Sequence, residues 1–116
     1  MSTVENLTQE DFERTLDQPG ITVVDFWAAW CPPCRAMAPQ FERAAELRPQ
    51  YRFAKVDVDA EPALAGTYAV RSIPTLLVLR DGEPVAQQAG VVGAEQLVAA
   101  LDRIDTATPV APSEGR

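Results

Sequence analysis

Cys31 and Cys34 are the only two cysteines in this chain of 116 residues, and they stand three positions apart in Trp30-Cys31-Pro32-Pro33-Cys34. On a helix, that spacing puts both sulfurs on one face, one turn apart and within bridging distance. The geometry fits a disulfide that can open and close. A thiol is a poor nucleophile until it ionises, and a helix N-terminus offers the thiolate unpaired N–H donors and partial positive charge. The same stabilisation makes that sulfur a better leaving group when its disulfide is attacked. Three other readings compete. A zinc half-site needs about four ligands, and the chain has no histidine and no third cysteine. A structural disulfide across so short a gap removes little loop entropy. Two buried, inert thiols are the third alternative, and the flanking prolines and tryptophan suit an exposed junction better. Redox chemistry is the reading the motif favours.

The neighbouring segments supply the placement this chemistry needs. Ile21-Thr22-Val23-Val24-Asp25-Phe26-Trp27 is β-branched and aromatic and reads as a buried strand. The stretch from Arg35 to Leu47 is rich in helix formers. Cys31 therefore falls at a strand-to-helix junction, at or next to the N-cap. Pro32 takes the first helical position, where a missing N–H costs nothing. Asp25 is the anomaly of the strand. An ionised carboxylate is expensive in an apolar strand and tends to keep its proton. By strand alternation it shares a face with Val23 and Trp27, one element from Cys34, which suits a proton acceptor for that thiol. The plainer alternative is an aspartate near a strand end satisfied by backbone donors.

Length and composition bound the rest. The chain predicts one domain with a single core, hydrophobic at 47% and charged at 23%. A net charge of −7 argues against nucleic acid or an anionic membrane as partner, because no basic surface is available to release counterions. Met1-Ser2-Thr3-Val4-Glu5-Asn6 shows no secretory leader, and no apolar run approaches the ~20 residues of a membrane span. With Met1 as the native start, a cytoplasmic protein is expected, where a CxxC pair is catalytic or metal-binding more often than structural.

In chain order, Val4 is assigned to a short first strand. Thr8-Gln9-Glu10-Asp11 forms a capping box with Asp11 in the place usual for Glu or Gln. It opens a helix carrying Phe12 and Leu16, which Pro19-Gly20 ends. After the long helix, with Pro39 inside it, Tyr51–Val58 reads as a strand. Asp59 is assigned as N-cap of a short helix from Glu61 to about Tyr68. Thr75–Leu79 is an apolar strand, Asp81-Gly82 a hairpin turn, and Pro84–Ala89 a returning strand whose proline predicts an edge. Ala94–Ile104 is the last helix, with Leu97, Val98, Leu101 and Ile104 on one face. The domain thus spans residues 1–105, and 106–116, without periodicity, reads as a disordered tail. The helical crossovers and the hairpin predict an α/β fold: a mixed sheet with helices on both faces.

Asp25-Phe26-Trp27-Ala28-Ala29-Trp30-Cys31-Pro32-Pro33-Cys34-Arg35 resembles the active-site segment of the thioredoxin family, in its bacterial type. Ala38-Pro39 resembles that family's kinked helix, and Ser72-Ile73-Pro74-Thr75 its cis-proline loop. The likeness runs from about Leu7 to Ile104. It implies the thioredoxin fold, with Cys31 as attacking thiolate and Cys34 as resolving thiol. It also implies that Lys55 approaches Asp25, and that Trp30, Pro32, Pro33, Ile73, Pro74, Ala89 and Gly90 form a flat apolar docking surface. The Ile73-Pro74 bond is expected to be cis. The family usually has glycine at Pro32, so Pro32 and Pro33 together tune the redox poise. The implied function is reduction of protein disulfides by a monomer, re-reduced by a thioredoxin reductase, with no cofactor and no metal. Two other functions stay open: a disulfide oxidase or isomerase, and a binding module in which the cysteines do not turn over.

Overall fold

The computed structural model describes residues 3–107. The elements follow in the order β1 (Glu5–Asn6), α1 (Gln9–Thr15), β2 (Ile21–Trp27), α2 (Pro32–Leu47), β3 (Arg52–Asp57), α3 (Pro62–Thr67), β4 (Thr75–Arg80), β5 (Glu83–Ala89) and α4 (Ala94–Thr106). They build one mixed sheet of order β1-β3-β2-β4-β5. The helical crossovers make β1, β3 and β2 parallel, and β4 and β5 join antiparallel. The α/β architecture read from the sequence is the one observed.

β2 lies at the centre and is buried on both faces, which explains a run that is apolar apart from Thr22 and Asp25. Ile21 and Val23 face α2 and α4, packing with Met37, Phe41, Phe53, Leu97 and Leu101. Val24 and Phe26 face the other way, into a core with Phe12 of α1 and Leu64 of α3. Alternation therefore turns Asp25 toward the α2 side, where only 1% of its surface is exposed.

Local signals account for most boundaries. The Thr8 hydroxyl accepts from the Asp11 N–H and the Asp11 carboxylate accepts from the Thr8 N–H, closing the expected capping box. α2 runs through Pro39, and α4 continues to Thr106, two residues past the expected Ile104. Residues 108–116 of the expected tail lie outside the described residues. β1 forms at Glu5–Asn6 beside β3, while Val4 packs against the core on the α2 side.

Asp59 is not the cap of α3. The residue before that helix is Glu61, and its side chain makes no capping bond. Asp57 instead takes the turn, its Oδ1 accepting from the N–H groups of Asp59 at 2.9 Å and Ala60 at 3.4 Å. A strand-end Asp folded back on the amides two and three residues on takes the turn in place of the expected cap. Asp59 is thereby left free for another partner.

β5 is an edge strand, as Pro84 predicts. The ladder slips beside it, with Val78 opposite Ala86 and Leu79 opposite Pro84, leaving Val85 as the extra residue of a bulge. The Asp81-Gly82 turn has φ of 53° and 83° at its two residues. A Cβ on Gly82 would lie 2.0 Å from the Leu16 carbonyl oxygen. Both constraints demand glycine, so Gly82→Ala is expected to cost at least ~2 kcal/mol in a denaturant melt. A loss below ~0.5 kcal/mol would show that the turn repacks freely.

Candidate active site

The C-terminal end of β2 delivers the chain through Ala28-Ala29-Trp30 to Cys31, the N-cap of α2, with φ −96° and ψ 108°. Pro32 and Pro33 occupy the first two helical positions and have no N–H to give. The first amide available is that of Cys34, and it donates to Cys31 Sγ at 3.2 Å. One backbone donor at a helix N-terminus is thus aimed at the sulfur to which the family resemblance gives the attacking role. Cys31 and Cys34 are joined by a disulfide, their Cα atoms 5.3 Å apart.

The two cysteines open on different surroundings. Cys31 lines an apolar groove of about 470 Å³ with Trp30, Pro32, Pro33, Val58, Ala65, Val70, Arg71, Ser72 and Ile73. Its Sγ lies 3.7 Å from the Ile73 carbonyl oxygen. Cys34 instead lines a separate cavity of about 260 Å³ with Trp27, Arg35 and Lys55. Of the two cysteines, Cys31 is the one that lines the groove.

The expected docking residues divide. Trp30, Pro32, Pro33 and Ile73 line the groove. Trp30 is 61% exposed, and its Nε1 donates to Asp59 Oδ2 at 2.8 Å, which fixes the ring at the groove's edge. Ile73-Pro74 is cis, as the family resemblance implies. Pro74, however, is fully buried, so its ring is a support and not a contact surface. Its carbonyl accepts from the Gly90 N–H at 2.8 Å, which ties the loop to the end of β5. Ala89 is exposed opposite Thr75 in the ladder, and neither it nor Gly90 lines the groove.

Asp25 stands between Lys55 on β3 and Leu76 on β4 in the sheet register. Its Oδ1 is buried and accepts no hydrogen bond from the described residues. Burial raises the carboxyl to about 7, and the Lys55 ammonium pulls in the opposite direction. Desolvation wins because the pair is not in contact: the ion pairs among the described residues do not include Asp25 with Lys55. The approach of Lys55 is real, but it ends over an aromatic ring, 4.4 Å from the centre of Trp27. The carboxyl is therefore not the backbone-satisfied strand-end aspartate of the plainer reading.

Three features of the site escaped the reading of the sequence. Along the sequence Asp59 reads as a helix cap, Trp27 as the end of a buried strand, and Val58, Ala65, Val70 and Arg71 belong to no site. No local signal joins Val58 to Val70 across α3; only the fold brings them to one groove. Among the described residues no cluster of three or more Cys, Asp or Glu side chains is placed to hold a metal ion. No described helix is long and apolar enough to cross a membrane.

Known proteins agree with this geometry. The family model described as Thioredoxin matches residues 3–103. The thioredoxin of Staphylococcus aureus is 42% identical over 98 residues, 84% of this chain and 93% of its own. Among solved structures, chloroplastic thioredoxin z superposes with a TM-score of 0.84 at 27% identity, covering 92% of this chain and 98% of that one. A chain from a study of thiol resolution in yeast mitochondrial 1-Cys peroxiredoxin, through the glutathione and thioredoxin systems, superposes with a TM-score of 0.80 at 28% identity. It covers 88% of this chain and 98% of its own. With the Cys31–Cys34 pair at the helix N-terminus, these matches show that the chain belongs to the thioredoxin family and is a thiol-disulfide oxidoreductase of the protein-disulfide reductase kind.

Proposed function

We propose that Cys31 attacks, Cys34 resolves and Asp25 accepts the resolving proton in the reduction of protein disulfides, with the pair re-reduced by a thioredoxin reductase. One observation carries the assignment: Cys31 Sγ takes the helix N-terminal amide and faces the groove, whereas Cys34 faces the cavity on the Lys55 side. In the first step the Cys31 thiolate attacks one substrate sulfur. A Cys31–substrate bond forms, the substrate S–S bond breaks, and the other substrate sulfur leaves with the electron pair. Cys34 then gives its proton to Asp25 and attacks Cys31 Sγ. The Cys31–Cys34 bond forms, the mixed disulfide breaks, and the second substrate thiolate departs. Both thiolates take protons from water. Two electrons have passed from the dithiol to the substrate.

The apolar groove and the Ile73 backbone support an extended protein segment as substrate, paired along the loop as strands pair. A reductant of this kind belongs in a reducing cytoplasm, and the thioredoxin resemblance favours a monomer. The Pro32-Pro33 pair favours one second reading, an oxidase or isomerase. Redox poise separates the two: about −270 mV for a thioredoxin against about −120 mV for a strong oxidant. The test is turnover of a protein disulfide with NADPH and a thioredoxin reductase. Sustained NADPH consumption is expected, and a chain that is never re-reduced would overturn the reading.

The Trp30 position makes a further expectation. Asp59→Ala releases the indole at a partly exposed site, where the lost charge-assisted bond is worth ~1 kcal/mol. KM for a protein disulfide should rise about three- to tenfold, with kcat within about twofold. An unchanged KM would remove Trp30 from docking.

A further inference from the structure

β2 ends with two buried polar groups that find no hydrogen-bond partner among the described residues, Asp25 Oδ1 and Trp27 Nε1. Buried polar atoms are seldom left so, and each such case calls for a cause. The cation that would answer Asp25 is at hand, since Lys55 is its direct neighbour on β3. Yet the Lys55 ammonium sits over the Trp27 ring, 4.4 Å from its centre. The negative face of an indole attracts an ammonium there, more strongly where water is scarce. The other charged groups nearby are already engaged. Arg35, which lines the same cavity from α2, donates to the Ala29 carbonyl at 3.0 Å. Asp57, opposite Trp27 on β3, accepts from the amides of Asp59 and Ala60. Across on β4 the neighbour is the uncharged Leu76, and among the α2 residues lining the Lys55 cavity the titratable ones are Arg35 and Cys34.

The geometry points to Trp27 as a positioning residue: its ring holds the Lys55 ammonium off Asp25, so that the carboxyl stays unpaired and open to a proton from Cys34. This rests on the role given to Asp25 above. A carboxylate locked in an ion pair is a weak base, whereas an unpaired buried one takes a thiol proton more readily. Lys55 held nearby but off the carboxyl can still favour the ionised form that must precede the transfer. Trp27 would act on the reaction through Lys55, without touching substrate.

The test is a carbon-13 carboxyl titration of Asp25 in the oxidised protein, in wild type, Trp27→Leu, Lys55→Met and the double variant. The midpoint is expected to fall by about one pH unit in Trp27→Leu, as the freed ammonium pairs with Asp25. It should rise in Lys55→Met, and Trp27→Leu should add nothing in that background. A midpoint unmoved or raised by Trp27→Leu, or lowered equally with and without Lys55, overturns the inference. Should Trp27→Leu fail to fold, fluorinated tryptophan in a Trp30→Phe background weakens the ring's hold on a cation with little change of shape. The midpoint should then fall stepwise with fluorine number, and independence from fluorination overturns the inference. Single-turnover resolution rates measured across pH on the same proteins separate the two claims. Rates that track the shifted midpoints support both. Midpoints that shift while the rate profile stays fixed support the part played by Trp27 and overturn Asp25 as acceptor.

Discussion

Cys34→Ser is expected to accumulate stable mixed disulfides with substrate proteins, whereas Cys31→Ser accumulates almost none and loses at least about a thousandfold in turnover. The asymmetry follows from what each sulfur faces. Cys31 lines the groove and accepts the Cys34 amide, so it faces the docking side and is supported as a thiolate. Once it has attacked, only a second thiol at bridging distance can release it, and Cys34, with Cα atoms 5.3 Å apart, is that thiol. A serine there leaves the mixed disulfide without an exit except by outside thiols. A serine at Cys31 leaves Cys34 facing the wrong cavity. Non-reducing gels of both variants after incubation with a disulfide protein read the result directly. Comparable trapping by the two would dissolve the division of labour.

What was legible in the chain, and what was not, divides by range. The Cys31 N-cap, Pro32 at the first helical position and the Thr8 capping box are decided within four residues, and each was found where the sequence put it. The sheet followed from the alternation of helical crossovers and one hairpin. Asp59 shows the opposite case. Its local signal as a cap was strong, but Asp57 reached the turn amides first, and the carboxylate was left to meet Trp30, 29 residues away. The family resemblance places Pro74 on a docking surface, but its ring is buried, and no pattern along the chain marks that burial. The hold of Trp27 on Lys55 is likewise a cross-strand contact, set by register between β2 and β3. Residues that touch across elements carry no pattern along the chain.

Asp25 is where stability and function should oppose each other. Its folded carboxyl is raised from the ordinary 3.8 to about 7, with burial as the main cause and Lys55 working against it. The native state therefore holds this proton over a range in which the unfolded chain has lost it. The contribution to stability is complete below about pH 4 and is lost as pH rises through about 7. Across that window the wild type should lose ~1.4 kcal/mol per pH unit relative to a variant without the carboxyl, or roughly 4 kcal/mol in all. Asp25→Ala should accordingly gain on wild type from about pH 4 and level off above about 7. The small cavity it leaves lowers the whole curve by a fixed amount without changing its slope. Resolution by Cys34 should meanwhile slow by roughly 10²- to 10⁴-fold, the usual worth of a positioned base. Denaturant melts of both proteins from pH 4 to 8, beside single-turnover rates, measure the two effects together. Parallel stability curves with equal rates would strip Asp25 of both roles. Converging curves with equal rates would leave it a costly buried acid, and the proton of Cys34 would have to leave through the cavity it shares with Lys55.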